Sequence, residues 1–561
     1  TRWDAEHVGL CTAGPLTLFP RADLLSGPES DRAGDAYDVL CERLKQRPEA
    51  LPLAAEAASG WSFSIPSLGL VLSTPFLLPL VLRLIGVLGL VALLRGWRWL
   101  PEGLLWMGLA ALCRVTLVDP GIFNGAEAGY EKLELALGWI QHSPYGDGQP
   151  VLFQVLLPLF GADPEGVFAG TLLLSVATVG LVWAWLRGEV GLVGARAGAL
   201  LWCLLPVPLL LARSEDPSVG VVFFGALSLL AAAVWRREGG LLPAVLAALS
   251  GGFLVHIRPE AGLLVGAAAV VGLRRPKGVY DGLTVGIAVL LVGSLLWLRM
   301  PLGVGQQQVL EPSNLLRPSS ILWLWAPVFT PRRAVVQLVT LVAKIPPLLP
   351  ILGVVGMRAG DQPWRRVALW AILTLPVAVK SNVYADIFRL QHPTLLVWVL
   401  SAAVAAELVA GRIGQPWMLV FLGLGILPWA VGAAPGWVQQ REYQWLTTVV
   451  PAFPENQRIF YYDPHSRAKS MRAVMERLGP GRWSGGGEPQ PGDWIYKGLG
   501  CYLPEGSACR DGLARCRLEE VAAVQLPPHS DLDLELLLDP REKTVELGFY
   551  RVQDCRARPE P

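Results

Sequence analysis

From about residue 76 to residue 434 the chain alternates long apolar runs with short polar links. A helix needs roughly 20 mostly apolar residues to cross a hydrocarbon core about 30 Å thick. The pattern predicts spans at 76–95, 102–118, 166–186, 195–211, 218–235, 241–255, 261–273, 281–299, 334–356, 367–380, 393–410 and 416–434. This reads as a polytopic α-helical membrane protein with about 12 transmembrane helices. A membrane β-barrel would show short segments of alternating hydrophobicity instead. Two runs, 241–255 and 261–273, are short and flank the turn "HIRPE". Broken segments are tolerated in a membrane where the backbone lines a cavity inside the protein.

Outside this stretch the pattern changes. Residues 1–64 and 440–561 read as ordinary soluble sequence. The expected organisation is therefore an N-terminal extracytoplasmic segment (1–64), a transmembrane domain (65–439) and a small C-terminal α+β soluble domain (440–561). In the last part, 466–478 has helical character and "TVELGFYRV" reads as a strand. The chain opens on Thr1 without a signal-peptide pattern, which leaves room for an upstream signal anchor.

Charge sorts the links into two sets. One is basic: Arg95 to Arg98, Arg187 to Arg196, Arg236-Arg237, Arg274-Arg275-Lys277, Arg358 to Arg366, and Arg412. The alternate set carries "VDPGIFNGAEAGYE", "ARSEDP", "HIRPE", "QQQVLEPSNLLRPSS" and "SNVYADIFRLQHP". Lys and Arg mark the cytoplasmic side, so the second set and the C-terminal part are expected outside. The cysteines agree. Cys113 and Cys203 fall inside spans, whereas Cys11, Cys41, Cys501, Cys509, Cys516 and Cys555 fall in segments assigned outside. An even number there suits disulfides, with no pairing predicted. Composition sharpens the class. Of 561 residues 53% are hydrophobic and 17% are charged, against roughly 25% charged in soluble domains. A net charge of +1 gives no reason to expect a nucleic acid partner.

Candidate chemistry gathers on the outward links. The first contains Asp119, Glu127, Glu131, Glu134, His142 and Asp147. Over 125–141 the periodicity predicts an amphipathic helix on the membrane surface, with Glu131 and Glu134 on its wet face. Glu127 differs, because it lies among small residues in "GAEAG", followed by Tyr130. Small neighbours let a substrate approach the backbone. The next outward turn holds Arg213, Glu215 and Asp216, and Asp216-Pro217 also fits a helix start. Arg258 and Arg389 lie at outer span ends, where a guanidinium fork suits a phosphate. His256 stands beside Arg258 as a polar-network residue. No metal-ligand spacing, phosphate-cradling loop or nucleophile elbow is present, although outer carboxylates are compatible with a divalent cation.

Four stretches, "NGAEAGY", "YGDGQPVLFQVLLPLFG", "ARSEDPSVGVVFFGALSLLA" and "GGFLVHIRPEAG", occur in this order. The series resembles the GT-C membrane glycosyltransferases, in the branch of protein O-mannosyltransferases and lipid A aminoarabinose transferases, over roughly residues 100–400. The resemblance implies transfer of a sugar from a polyprenyl-phosphate donor to a lipid, glycan or protein acceptor. The reaction is expected at the outer face, in a bacterial inner membrane, with inversion at the anomeric carbon. A carboxylate takes the acceptor proton and cations stabilise the leaving phosphate. It assigns Glu127, Asp216 or Asp119 to catalysis and Arg258 and Arg389 to the donor phosphate. Tyr130, Glu215, Arg213 and His256 are assigned to substrate. Ala126 stands where the family has its aspartate, and Glu127 follows it. The competing readings are a lipid-carrier flippase or transporter, and a non-catalytic scaffold derived from a glycosyltransferase. A transporter predicts internal repeats and mid-membrane charges; no clear repeat is visible, and most charges sit at outer span ends, with Arg83 the main exception and Lys344 another.

Overall fold

The computed structural model describes residues 11–13, 16–18, 74–95, 100–122, 132–138, 148–258, 261–274, 278–299, 345–359, 363–373, 392–433, 438–461, 478–479, 481–484, 489–498, 501, 513–526 and 545–555. The chain divides into two compact units, Thr1–Leu77 and Leu78–Pro561. In the first, β1 (Cys11–Ala13) and β2 (Leu16–Leu18) form an antiparallel hairpin.

Helices dominate the second unit, and the first of them begins at the end of the first unit. In chain order they are α1 (Thr74–Arg95), α2 (Leu100–Leu117), α3 (Gly148–Phe160), α4 (Pro164–Glu189), α5 (Leu192–Leu204) and α6 (Pro206–Leu211). Then come α7 (Ser218–Glu238), α8 (Leu241–Ile257), α9 (Gly262–Gly272), α10 (Val279–Arg299), α11 (Leu348–Arg358), α12 (Pro363–Leu373), α13 (Leu395–Ile413), α14 (Gln415–Ala433) and α15 (Val438–Val449). Among the described residues, five helices are long and apolar enough to cross a membrane: Leu77–Leu94 within α1, α2, α4, α7 and α13. Shorter apolar helices pack around them. Apolar side chains also cover the exterior, as at Leu84, Leu90 and Leu94 on α1 and Val420, Leu424 and Leu427 on α14. Such a surface would be a liability in water and is matched to lipid. The chain is an integral membrane protein.

Local signals fix the helix ends. Asp163 Oδ1 accepts from Gly166 N at 2.8 Å, Pro164 opens α4, and Arg187 lies in its last turn. Each satisfies or complements the exposed peptide groups of a helix end. The turn between α7 and α8 needs Gly239 and Gly240, at φ 77° and 89°. The expected span 195–211 is two helices. Leu205 is extended, at ψ 131°, because Pro206 follows it, and α6 begins at that proline. α3 lies between the expected spans and is not among them; it is a 13-residue helix with Pro158 inside. The short helices α8 and α9 flank Arg258 as expected. α11 and α13 touch backbone to backbone: a Cβ on Gly356 would fall 1.7 Å from the Ser401 carbonyl oxygen. Small residues at helix contacts are the usual device for such close approach in a bilayer.

After α15 comes a five-stranded sheet in the order β4-β3-β5-β7-β6. Its strands are β3 (Ile459–Tyr461), β4 (Trp483–Ser484), β5 (Trp494–Lys497), β6 (Cys516–Leu526) and β7 (Val545–Cys555). β3 runs parallel to β4 and β5, while β7 is antiparallel to β5 and β6. Leu446 and Val450 pack with Ile459, Tyr461, Trp483, Tyr496 and Phe549 on one face, and Phe460, Ile495 and Val552 fill the other. Cys516 is disulfide-bonded to Cys555 across a sequence separation of 39, a closure that contributes about 3–4 kcal/mol by chain entropy. Cys501 is also in a disulfide, whereas Cys113 and Cys203 in the helices are free. α15 ties this sheet to the bundle. Tyr443 Oη donates to Glu165 at 3.0 Å, and Gln444 Nε2 donates to the Pro120 carbonyl at 3.3 Å. Tyr496 Oη donates to Glu442 at 2.6 Å on the sheet side of the same helix.

Candidate functional site

The end of the bundle opposite the arginine-rich links is assembled from four pieces of backbone: 118–122, 132–138, the turn 212–217, and the junction of α8 with Arg258. Carbonyl and amide contacts lock them. Gly121 N donates to the Arg213 carbonyl at 3.0 Å, and Arg213 Nη1 returns to the Val118 carbonyl at 2.9 Å. Gln149, at the start of α3, donates from Nε2 to the Glu215 carbonyl at 2.9 Å. Gly148 lies against the backbone of His256 and Ile257, where a Cβ would come within 2.6 Å of both. Only glycine permits that approach.

Asp216 is the centre of this arrangement. Its Oδ1 accepts from Ser218 N at 2.7 Å, a helix-start bond at α7. Its Oδ2 lies 3.9 Å from Lys132 Nζ, and both side chains are at most 1% exposed. Ser218 Oγ meets His392 Nδ1 at 3.3 Å, and the His392 ring stacks on Trp202 with centroids 5.8 Å apart. Burial pushes the His392 imidazole far below its ordinary range, to about 3, with Asp216 pulling the other way; the ring is neutral at physiological pH. Beneath it Arg114 is fully buried in α2. Arg114 donates from Nε to Ser175 Oγ at 2.7 Å and from Nη2 to the Trp202 carbonyl at 3.4 Å. Buried ionisable groups in a membrane bundle are costly and mark function by default.

The expected site residues divide as follows. Asp216, Glu215, Arg213, His256 and Arg258 share this end, and all but Arg213 are buried. Asp119 lies on the 118–122 segment and is exposed. His256 Nε2 donates to the Leu295 carbonyl at 2.8 Å, joining α8 to α10. Glu127, Tyr130, Glu131, His142, Asp147 and Arg389 lie outside the described residues, as does Lys344. One expectation is corrected. Glu134 is not on a wet face: it is 1% exposed, and 132–137 is buried throughout. The run is drawn inward because Lys132 turns to Asp216 rather than to water. Sequence reasoning missed Lys132, Gln149, Ser218, His392 and Arg114. Lys132 carried a signal, as a lone cation among three glutamates in "EAGYEKLE". Arg114 carried one too, inside an apolar span; Arg83, also inside a span, is exposed. Among the described residues no group of three His, Cys, Asp or Glu side chains could hold a metal ion.

A helical membrane bundle with buried charge gathered at one end, joined there to a small sheet, is the class that fold and site define. No family model and no curated protein matches the chain. Solved structures do. ArnT from Cupriavidus metallidurans in the apo state is 11% identical over 81% of this chain and 98% of its own, with a TM-score of 0.47. The same protein bound to undecaprenyl phosphate gives 10% identity, the same coverage and a TM-score of 0.46. Archaeal oligosaccharyltransferase AglB from Archaeoglobus fulgidus, with an inhibitory peptide and a dolichol-phosphate, is 14% identical over 68% of this chain, with a TM-score of 0.43. The chain spans 65% of that protein's length.

Proposed function

We propose that this protein transfers a sugar from a polyprenyl-phosphate donor to an acceptor at the membrane face opposite its basic links. The observation that carries the reading is the buried Lys132–Asp216 pair beside the first link. Charge held at 3.9 Å with both partners out of water is expensive and gains little stability; a function explains why it is kept. Lys132 is joined directly to 123–131, so Asp216 acts as the anchor of the link that carries Glu127. Glu127 is our first choice as base. Asp216 has one oxygen on Ser218 N and the other toward Lys132, so both of its oxygens are engaged in holding the backbone of this end. Asp119 is exposed. The disulfide of Cys516 and Cys555 fits an oxidising outer compartment for the sheet that α15 ties to this end.

In the proposed step the acceptor oxygen attacks the anomeric carbon from the face opposite the phosphate. The new C–O bond forms as the sugar–phosphate bond breaks, so the centre inverts. The acceptor proton passes to the carboxylate, and the bonding pair leaves with the polyprenyl phosphate, whose charge Arg258 and Arg389 are proposed to stabilise. Tyr130, Glu215, Arg213 and His256 are proposed to shape the substrate's surroundings. The test is to reconstitute purified protein with polyprenyl-phosphate sugars and a membrane extract that supplies lipid, glycan and protein acceptors, and to follow release of polyprenyl phosphate. Turnover by the wild type, falling about 100-fold in Asp216→Asn protein that remains folded, supports the reading. A donor that is moved across the bilayer but never cleaved would make the protein a flippase instead, and a donor left untouched would make it a scaffold.

A further inference from the structure

The opposite, basic end carries more cation than it neutralises. Arg236 Nη2 contacts both oxygens of Glu189, at 2.5 and 2.6 Å, and Arg237 reaches the same carboxylate at 3.9 Å. Arg365 lies within electrostatic reach of Arg236 and Glu189. Arg274 pairs with Asp281, and its guanidinium lies 4.3 Å above the Trp235 ring. Four guanidinium groups therefore share two carboxylates. Arg365 donates from Nη2 to the Leu273 carbonyl at 2.7 Å. Its Nε and Nη1, shielded from solvent, have no hydrogen-bond partner among the described residues, and neither does Arg274 Nε.

We propose that this cluster binds the phosphate of an anionic phospholipid headgroup. A phosphate offers several acceptor oxygens to guanidinium forks that are short of acceptors. Its lipid origin follows from the neighbours: Leu273, Trp364 and Val367 are each more than half exposed, at 53%, 52% and 52%, and stand beside the arginines. Acyl chains lie along that apolar surface while the headgroup meets the cations, as in other basic pockets between transmembrane helices. The inference is independent of sugar transfer.

The test uses the full chain purified in detergent and offered equal amounts of phosphatidylglycerol and phosphatidylcholine with the same acyl chains. Bound lipid is counted by native mass spectrometry. Phosphatidylglycerol should be retained in at least about fivefold excess, and Arg365→Gln and Arg237→Gln should each cut that excess by about fivefold. Arg365→Lys, which keeps the charge without the fork, should fall between. Equal retention of the two lipids overturns the proposal, as does an unchanged excess in both glutamine variants. Displacement of the lipid by an equal concentration of inorganic phosphate overturns its lipid origin. If Arg365→Gln fails to fold, the wild-type ratio and Arg237→Gln decide the matter.

Discussion

The two ends of the helix bundle treat charge in opposite ways. At the basic end, carboxylates take short, partly exposed partners: Glu102 with Arg196 at 2.6 Å and Glu189 with Arg236 at 2.5 Å, side chains 15–29% exposed. Glu407 there accepts from Gly194 N at 2.5 Å and ties α13 to the start of α5. At the other end Lys132 and Asp216 face each other at 3.9 Å in almost complete burial, with a neutral histidine and a buried arginine nearby. Short pairs near water contribute under about 1 kcal/mol each and act as fasteners. A longer pair sealed from water is a poor fastener, because desolvation outweighs much of the attraction. The contrast separates charges that hold the bundle together from charges that the bundle holds in place.

Substitutions can break this contrast. The largest effect on folding is expected from Arg114→Ala, which empties a buried space and strips Ser175 and the Trp202 carbonyl of a donor. The expected loss is about 3–5 kcal/mol, read from the denaturation midpoint. Arg258→Gln should lower sugar transfer about 100-fold while ligand-free stability changes little; equal loss of both would make Arg258 a packing residue. Glu102→Gln should cost under about 1 kcal/mol and leave transfer within about twofold of wild type. The smallest effect belongs to the sheet. There the Tyr550 hydroxyl, ahead of Lys497, holds the Glu546 carboxyl below its ordinary range. Its folded value is the lower one, so its stabilisation is complete above the unfolded value and is lost as pH falls through the folded one. Tyr550→Phe should flatten the acid limb of a melting-temperature profile below about pH 5.

Helix placement was legible where hydropathy and charge agreed, as at α1, α2, α7 and α13, whose bounds fall within a few residues of the expected spans. The strand around "VELGFYRV" was legible too, through its alternating β-branched and aromatic residues. The break at Leu205 has its local signal in Pro206 and Pro208, which the unbroken apolarity of 195–211 hides. Asp216 announced itself through the Asp-Pro helix start. Lys132 and His392 did not, since nothing local states that residues 84 and 176 positions away from Asp216 (about that far along the chain) would be brought to one spot. Glu134 misled for the same reason: helical spacing names the face a residue shares, not whether that face meets water or a buried partner.

The most direct measurement compares Glu127→Gln with Glu102→Gln in one assay, following polyprenyl phosphate released from a polyprenyl-phosphate sugar by purified, folded protein. The account predicts that wild type and Glu102→Gln turn over alike while Glu127→Gln falls by about 100-fold or more at an unchanged melting temperature. Full turnover by Glu127→Gln would contradict it.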